Sequence, residues 1–359
     1  MRRRAIVIGA GLAGSSAAER LAARGWTIEL IERADAPAQG ASGNLAGVLR
    51  PLPSVDDNRL ARLTRAGFLE ACRHFASLTA AGLPLRWAQT GVLHLARDDT
   101  HAATQQRVVD VQQPAADYLR FVDRGEASQL AGWPVTHGGW WFPGGGWVDP
   151  ASLCRANIAR HAVAIKAHYG CRVAEVERRA GLWRAYAGGG AVIAEAPVLI
   201  LANATDAGRF TVAAHLPLRA ARGQVSHLPA AAGSAPDIVV CRLGYVTPAI
   251  DGLRCAGATF SIDDGETALR TADHAENLAR LDFILPGYTK GIQPADLGGR
   301  VGFRPLAPDR LPMVGAVADA AAIEASHPSR PLAEMPRHPG LYVINGFGAR
   351  GIVWSALTG

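Results

Sequence analysis

Three glycines, Gly9, Gly11 and Gly14, stand in GxGxxG spacing within VIGAGLAGSSAAERLAARGWTIELIER. The first glycine of such a set allows a tight turn, and the second lets backbone approach a pyrophosphate at a helix N-terminus. The third lets the helix pack closely on the preceding strand. Glu32 ends the next apolar run, where a carboxylate would meet a ribose diol. Far along the chain, RVGFRPLAPDRLPMVG, residues 300–315, places Arg300, Arg304 and Arg310 in two short apolar runs around a Pro/Asp turn. A cation at a strand end is costly to bury unless an anion meets it. Arg304 is therefore a candidate anion clamp, with a structural ion pair as the alternative. Arg310 is expected to be solvated or paired with Asp309, and Arg300 has an equally ordinary reading.

The elements that must position these groups follow from periodicity. Arg4 to Ile8 reads as a strand, Leu12 to Arg24 as a helix and Thr27 to Ile31 as a second strand, a βαβ unit at the start. Arg59 to Ala80 has a helical pattern. Short strands, glycines and tryptophans from Pro84 to Trp147 suggest an antiparallel layer. Asp149 and Pro150 read as N-cap and first residue of a helix. A strand at Cys171 to Val176, a hairpin around AGGGA and the apolar strand Val198 to Leu201 resume the nucleotide-binding layer. Residues 217–318 return to strand-like runs with a helix near Asp273 to Ile284. After a Pro-rich connection at 328–339, the strand Leu341 to Ile344 leads into GFGARGIV.

The resulting expectation is an α/β chain of two domains. A discontinuous Rossmann-like domain (1–80, 149–215, 335–359) carries an inserted antiparallel-sheet substrate domain (81–148, 216–334). The chain leaves the first βαβ unit for the loop QGASGNLAGVLRPLPS instead of continuing its parallel sheet, which favours FAD over a nicotinamide cofactor. Leu12 and Ala13, Arg33 beside Glu32, and Val173 and Ala202 are expected beside the dinucleotide. Ala41, Ser42, Gly43, Leu45, Ala46, Gly47 and Val48 supply small residues and backbone amides to lie against a flat ring. That loop has no His or Cys to link a flavin covalently. Gly346, Phe347, Gly348, Ala349, Arg350, Gly351 and Ile352 precede or open a short helix, whose free N–H groups would stabilise negative charge on a reduced flavin.

Composition restricts the remaining classes. The chain has 359 residues, 49% apolar and 19% charged, enough for a large core. Five scattered cysteines without a CxxC pair read as free thiols, and the eleven histidines show no ligand spacing, so no metal site is expected. A net charge of +6 would favour acidic partners, yet many enzymes that never touch nucleic acid share it. MRRRAIVIGAGLAGSSAAERLA has arginines before an apolar run, but glycines break the run, which argues against export. No window approaches the roughly 18 apolar residues of a membrane span. A soluble, cytoplasmic protein is expected.

The leading GxGxxG, GASGNLAG, GFRPLAPDRLPMVG and GFGARGI, in this order, resemble the D-amino-acid oxidase and glycine oxidase superfamily. Within it the chain most resembles the FAD-dependent C-terminal domain of the MnmC family of tRNA-modifying proteins, through GASGNLAGVLRPL, FPGGGWVDPASLC, RVGFRPLAPDRLPMVG and GFGARGIVWSAL. The resemblance implies a glycine oxidase-like fold and FAD, with Arg304 holding a substrate carboxylate and Tyr245, in LGYVTPAI, over the substrate side of the ring. A core tyrosine is the alternative for Tyr245. It also implies a tRNA substrate, the carboxymethylaminomethyl group of wobble uridine, cleaved to aminomethyl-uridine and glyoxylate. Arg2, Arg3, Arg4, Arg59, Arg62 and Arg65 are candidates to hold the tRNA backbone. Two departures stand against the MnmC pattern: Met1 lies directly before the first strand, so a methyltransferase acting on the product is expected to be separate, and the last helix ends early. A small-amine oxidase acting on glycine, sarcosine or D-amino acids and a non-catalytic flavin-binding scaffold are the competing readings.

Overall fold

A computed structural model describes residues 3–231, 233–324 and 331–359. Arg2 and part of the Pro-rich connection at 328–339 lie outside the described residues. The N-terminal βαβ unit forms as its pattern predicts, with strands Arg4–Ile8 and Thr27–Ile31 in parallel register around helix Leu12–Ala22. Ile165–His168 extends this sheet on one side, and Val198–Leu201 and then Arg337–Asn345 extend it on the other, all parallel. Alternation decides what each strand face buries. Ala5 and Val7 join a core with Leu12, Phe75 and Trp354, whereas Ile6 and Ile8 join a second core with Trp183, Leu199 and Leu341. Burial on both faces is why these strands read as continuous apolar runs.

Helices Pro150–Arg160 and Gly351–Thr358 pack on Leu12–Ala22 over the first face. The antiparallel meander Glu175–Arg179, Leu182–Tyr186, Val192–Ala196 supplies Trp183 and Ala185 to the second. Two helix starts have the expected chemistry. The Asn58 side chain accepts the Ala61 N–H at 3.1 Å ahead of Arg59–Ala80, and Asp149 Oδ1 accepts Ala151 and Ser152 N–H at 2.8 and 3.0 Å ahead of Pro150.

The second unit is built on a long strand, Arg219–Pro229. Gly298–Leu306 pairs along nearly its whole length on one edge, and Leu253–Gly257 and Ser261–Ile262 pair on the other. Tyr245–Val246, Val239–Cys241, Val92–Leu95, Gly139–Phe142 and Arg120–Val122 continue that sheet. Helix Thr271–Ile284 lays Leu278, Leu281 and Ile284 against Leu93, Val240 and Ala256. A small sheet, Gly47–Leu49 with Gly146–Val148 and Trp87–Ala88, joins the two units.

Three details differ from the sequence expectation. Met313–Ala318 pairs antiparallel to Arg337–Asn345, so these residues belong to the nucleotide-layer sheet and not to the substrate domain. Placed there they form the edge strand of that sheet. The substrate sheet is not wholly antiparallel, because Val239–Cys241 runs parallel to Val92–Leu95. Residues 171–174 form no strand; the strand begins at Glu175, and the Cys171 N–H is held by the Glu32 carbonyl at 2.9 Å. Among the described residues no helix is long and apolar enough to cross a membrane.

Candidate active site

One cavity of about 720 Å³ runs from the C-terminal ends of the parallel strands to the substrate sheet, the place where open α/β sheets take ligands. At its nucleotide end Gly9 has φ +101°, and a Cβ there would stand 2.6 Å from the Ala202 carbonyl oxygen. A Cβ on Gly14 would stand 1.8 Å from the Gly9 oxygen, so the helix can lie this close to the turn only because Gly14 lacks a side chain. Ser42 Oγ accepts the Leu12 N–H at 3.1 Å. Glu32 accepts the Ala10 N–H at 2.8 Å and the Ala34 N–H at 3.0 Å, which fixes its carboxylate on the cavity wall. Arg33 pairs with Asp206 at 2.5 Å beside it.

Of the residues read from the sequence, Gly9, Gly11, Leu12, Ala13, Glu32, Arg33, Ala41, Ser42, Gly47, Val48, Val173 and Ala202 line this cavity. Phe347, Gly348, Ala349, Arg350, Gly351 and Ile352 line it from the C-terminal turn. Gly14, Gly43, Leu45, Ala46 and Gly346 do not. Gly14 serves helix packing, and Ala46 is fully buried. Gly43 faces the Arg300 guanidinium, 2.5 Å from where its Cβ would stand. Gly346 provides a left-handed turn, φ +72°, whose N–H is held by the Asn345 side chain. Arg300 proves to be a clamp: its Nη2 donates to the Gln39 and Gly40 carbonyls at 2.8 and 2.6 Å, tying the loop after Glu32 to the substrate sheet. Sequence reading missed it because its partners are backbone atoms some 260 residues away.

Arg304 and Tyr245 meet at the other end of the cavity. Arg304 pairs with Ala221 across the sheet and lays its guanidinium over Gly223, where a Cβ would stand 2.4 Å from Nη2. Its Nη1 donates to the Thr259 carbonyl at 3.3 Å. None of the ion pairs among the described residues includes Arg304, whereas the fully buried Arg222 on the same sheet has Asp273. Burial lowers the Arg304 guanidinium from its usual value; nearby Tyr245 opposes that shift and Arg280 adds to it. It nonetheless stays charged. The Tyr245 hydroxyl lies 3.4 Å from Cys255 Sγ, and burial first, then Cys255, push its pKa well above the ordinary phenol value. Tyr245 is therefore a neutral hydroxyl.

Arg50 and Phe260, which the sequence did not single out, also line this end. Arg350 is lowered by burial and then by the like charges of Arg50 and Arg310, so the C-terminal turn carries a cluster of cations. Asp309 uses its carboxylate on the Leu311 N–H at 3.0 Å instead of pairing with Arg310. Arg3, Arg4, Arg59, Arg62 and Arg65 do not line the cavity. Arg3 and Arg4 donate to the Arg24 and Glu195 carbonyls and Arg65 pairs with Asp57 at 2.8 Å. Among the described residues no cluster of His, Cys, Asp and Glu could hold a metal.

A Gly-cradled dinucleotide cavity that ends on a sheet-borne arginine defines a class, and the family comparison agrees. Residues 4–359 match the family model described as DAO, FAD dependent oxidoreductase, and the chain belongs to that family. The chain is 61% identical over 356 residues to the tRNA 5-methylaminomethyl-2-thiouridine biosynthesis bifunctional protein MnmC of Aromatoleum aromaticum, and 57% identical to that of an Azoarcus species. Each match covers 99% of this chain and 55% of the relative, so the chain spans about half the length of these proteins. Among solved structures, glycine oxidase from Geobacillus kaustophilus superposes with a TM-score of 0.78 at 20% identity, covering 99% of this chain and 92% of the other. Iminodiacetate oxidase from Chelativorans gives 0.73 at 24%, covering 99% and 93%. These likenesses concern the fold. The cavity fits the family's cofactor: it has a volume of about 720 Å³, and a Cβ on Gly9 would meet the backbone of Ala202, which lines it.

Proposed function

We propose that this chain oxidises the carboxymethylaminomethyl group on the wobble uridine of tRNA, releasing glyoxylate and leaving aminomethyl-uridine. The observation that carries the reading is Arg304, a cation on the wall of the cavity with no carboxylate partner among the described ion pairs. An N-substituted glycine brings the missing carboxylate, and the guanidinium fork fixes its orientation through two parallel hydrogen bonds. That grip leaves the methylene next to the carboxylate as the atom to be oxidised, held in one orientation. Tyr245, neutral and half-buried, supplies an uncharged wall and no competing anion. FAD, when bound, supplies the two-electron oxidation of the C–N bond, and water then splits the imine on the substrate.

Glu32, Ser42 and the backbone amides after Gly9 would hold the nucleotide half of the cofactor. The amides of 348–352 would face its ring. MnmC relatives at 57–61% identity favour tRNA over a free amino acid as the carrier of the glycine unit. The cationic cluster of Arg50, Arg310 and Arg350 suits a polyanionic carrier of that unit. Incubation of the holoenzyme with tRNA bearing carboxymethylaminomethyl-uridine, followed by nucleoside mass spectrometry, tests the proposal. The expected result is aminomethyl-uridine with an equivalent of glyoxylate. Oxidation of sarcosine or glycine with the tRNA left intact would instead establish a small-amine oxidase.

A further inference from the structure

Phe260 is 49% exposed, and of the large apolar side chains exposed among the described residues it alone lines the cavity. An exposed aromatic on a mobile loop would mean little. This one follows a backbone held by three hydrogen bonds to two residues: the Thr259 N–H donates to the Gln224 carbonyl at 3.1 Å, Thr259 Oγ1 accepts the Gln224 N–H at 3.0 Å, and Arg280 Nη1 donates to the Ala258 carbonyl at 2.7 Å. Gln224 is itself fully buried, with its side chain bonded to the Arg270 backbone at both ends. The ring is thus presented at a fixed place, 6.0 Å from its centroid to the Arg304 guanidinium carbon.

We infer that Phe260 is the platform on which the wobble base stacks while its arm reaches Arg304, and that it makes the site select a nucleoside-borne glycine over a free one. The inference rests on the function proposed above. The reach agrees with it. A carboxylate on a guanidinium has its carbon about 4 Å from Cζ, and the four bonds from that carbon to C5 of the pyrimidine span about 5 Å. A base at the usual stacking distance from Phe260 lies inside that radius. Glycine or sarcosine on the same arginine carries no base to stack on the ring and so lacks that contact. Recognition of an unstacked RNA base on an aromatic side chain is the common mode for single-stranded loops.

Steady-state oxidation of tRNA bearing carboxymethylaminomethyl-uridine, by the parent holoenzyme and by Phe260→Ala and Phe260→Tyr, tests the inference. Loss of one base-stacking contact predicts a rise in KM of about tenfold for Phe260→Ala, with kcat within about twofold of the parent, and return to the parental KM in Phe260→Tyr. An unchanged KM in Phe260→Ala overturns the inference, as does a fall in kcat alone, which would mean that the ring only braces Arg304. Failure of Phe260→Tyr to restore KM also overturns it. A parent enzyme that leaves the tRNA untouched defeats the proposed function itself, and the platform falls with it, so the two failures are read from different enzymes.

Discussion

Arg304 reaches the cavity across Gly223, whose missing Cβ leaves the space that the guanidinium fills. A methyl group there would meet only the far end of a flexible side chain, not backbone. Gly223→Ala should therefore fold normally and displace the guanidinium. The expected outcome is a tenfold or greater loss of kcat/KM toward the glycine-bearing substrate with a Tm within about 2 °C of the parent, measured by steady-state kinetics and calorimetry. That loss is about 1.4 kcal/mol of transition-state binding. At this scale the sequence revealed residue types better than partners. Arg304 stands out in the sequence as a cation in an apolar strand, while its proposed role, like that of Tyr245, comes by resemblance. Phe260 and Arg50 carry no spacing signal, since what distinguishes them is exposure at a cavity that forms only in the folded chain. The tRNA-backbone candidates Arg3, Arg4 and Arg65 looked available because sequence cannot show a carbonyl or an aspartate already engaging them.

Elements were legible where local rules and tertiary packing agree. The βαβ unit, the helix Arg59–Ala80 and the Asp149-Pro150 start appear as read, because glycine spacing, apolar periodicity and capping point the same way. Cys171–Val173 failed because a short apolar run there is pinned to the loop after Glu32 instead of pairing with a strand. The Arg300 clamp belongs to this scale, since it joins a loop of one unit to a strand of the other. Arg300→Ala is expected to free residues 39–43 and weaken FAD retention about tenfold, measured by flavin release in equilibrium dialysis, while leaving the Tm of the FAD-free protein nearly unchanged. Gly14→Ala is the severe counterpart: a Cβ 1.8 Å from the Gly9 oxygen forces the helix off the sheet, and an apoprotein of lowered stability is expected.

Across the whole molecule, buried and half-buried histidines make stability depend on acid. Burial is the main cause that lowers the pKa of His94, well below its ordinary value, and of His74, His227 and His274. The unfolded chain takes up these protons below about pH 6.5 and the folded chain resists them, so stability is present above that pH and is lost as pH falls. Thermal unfolding between pH 7.5 and 5 should show Tm falling steadily, with a shallower fall in His94→Gln. The two-unit architecture was visible in the order of glycine loops and strand clusters, but the boundary at 313–318 was not, because an edge strand is assigned by its neighbour and not by its own pattern. Arg304, on the wall of the cavity, carries the proposed chemistry. Anaerobic stopped-flow reduction of bound FAD by tRNA bearing carboxymethylaminomethyl-uridine, compared between parent and Arg304→Ala, measures that claim directly. The account predicts rapid bleaching by the parent and a loss of at least about a hundredfold in the variant, near 2.7 kcal/mol. Bleaching of Arg304→Ala at the parental rate would contradict it.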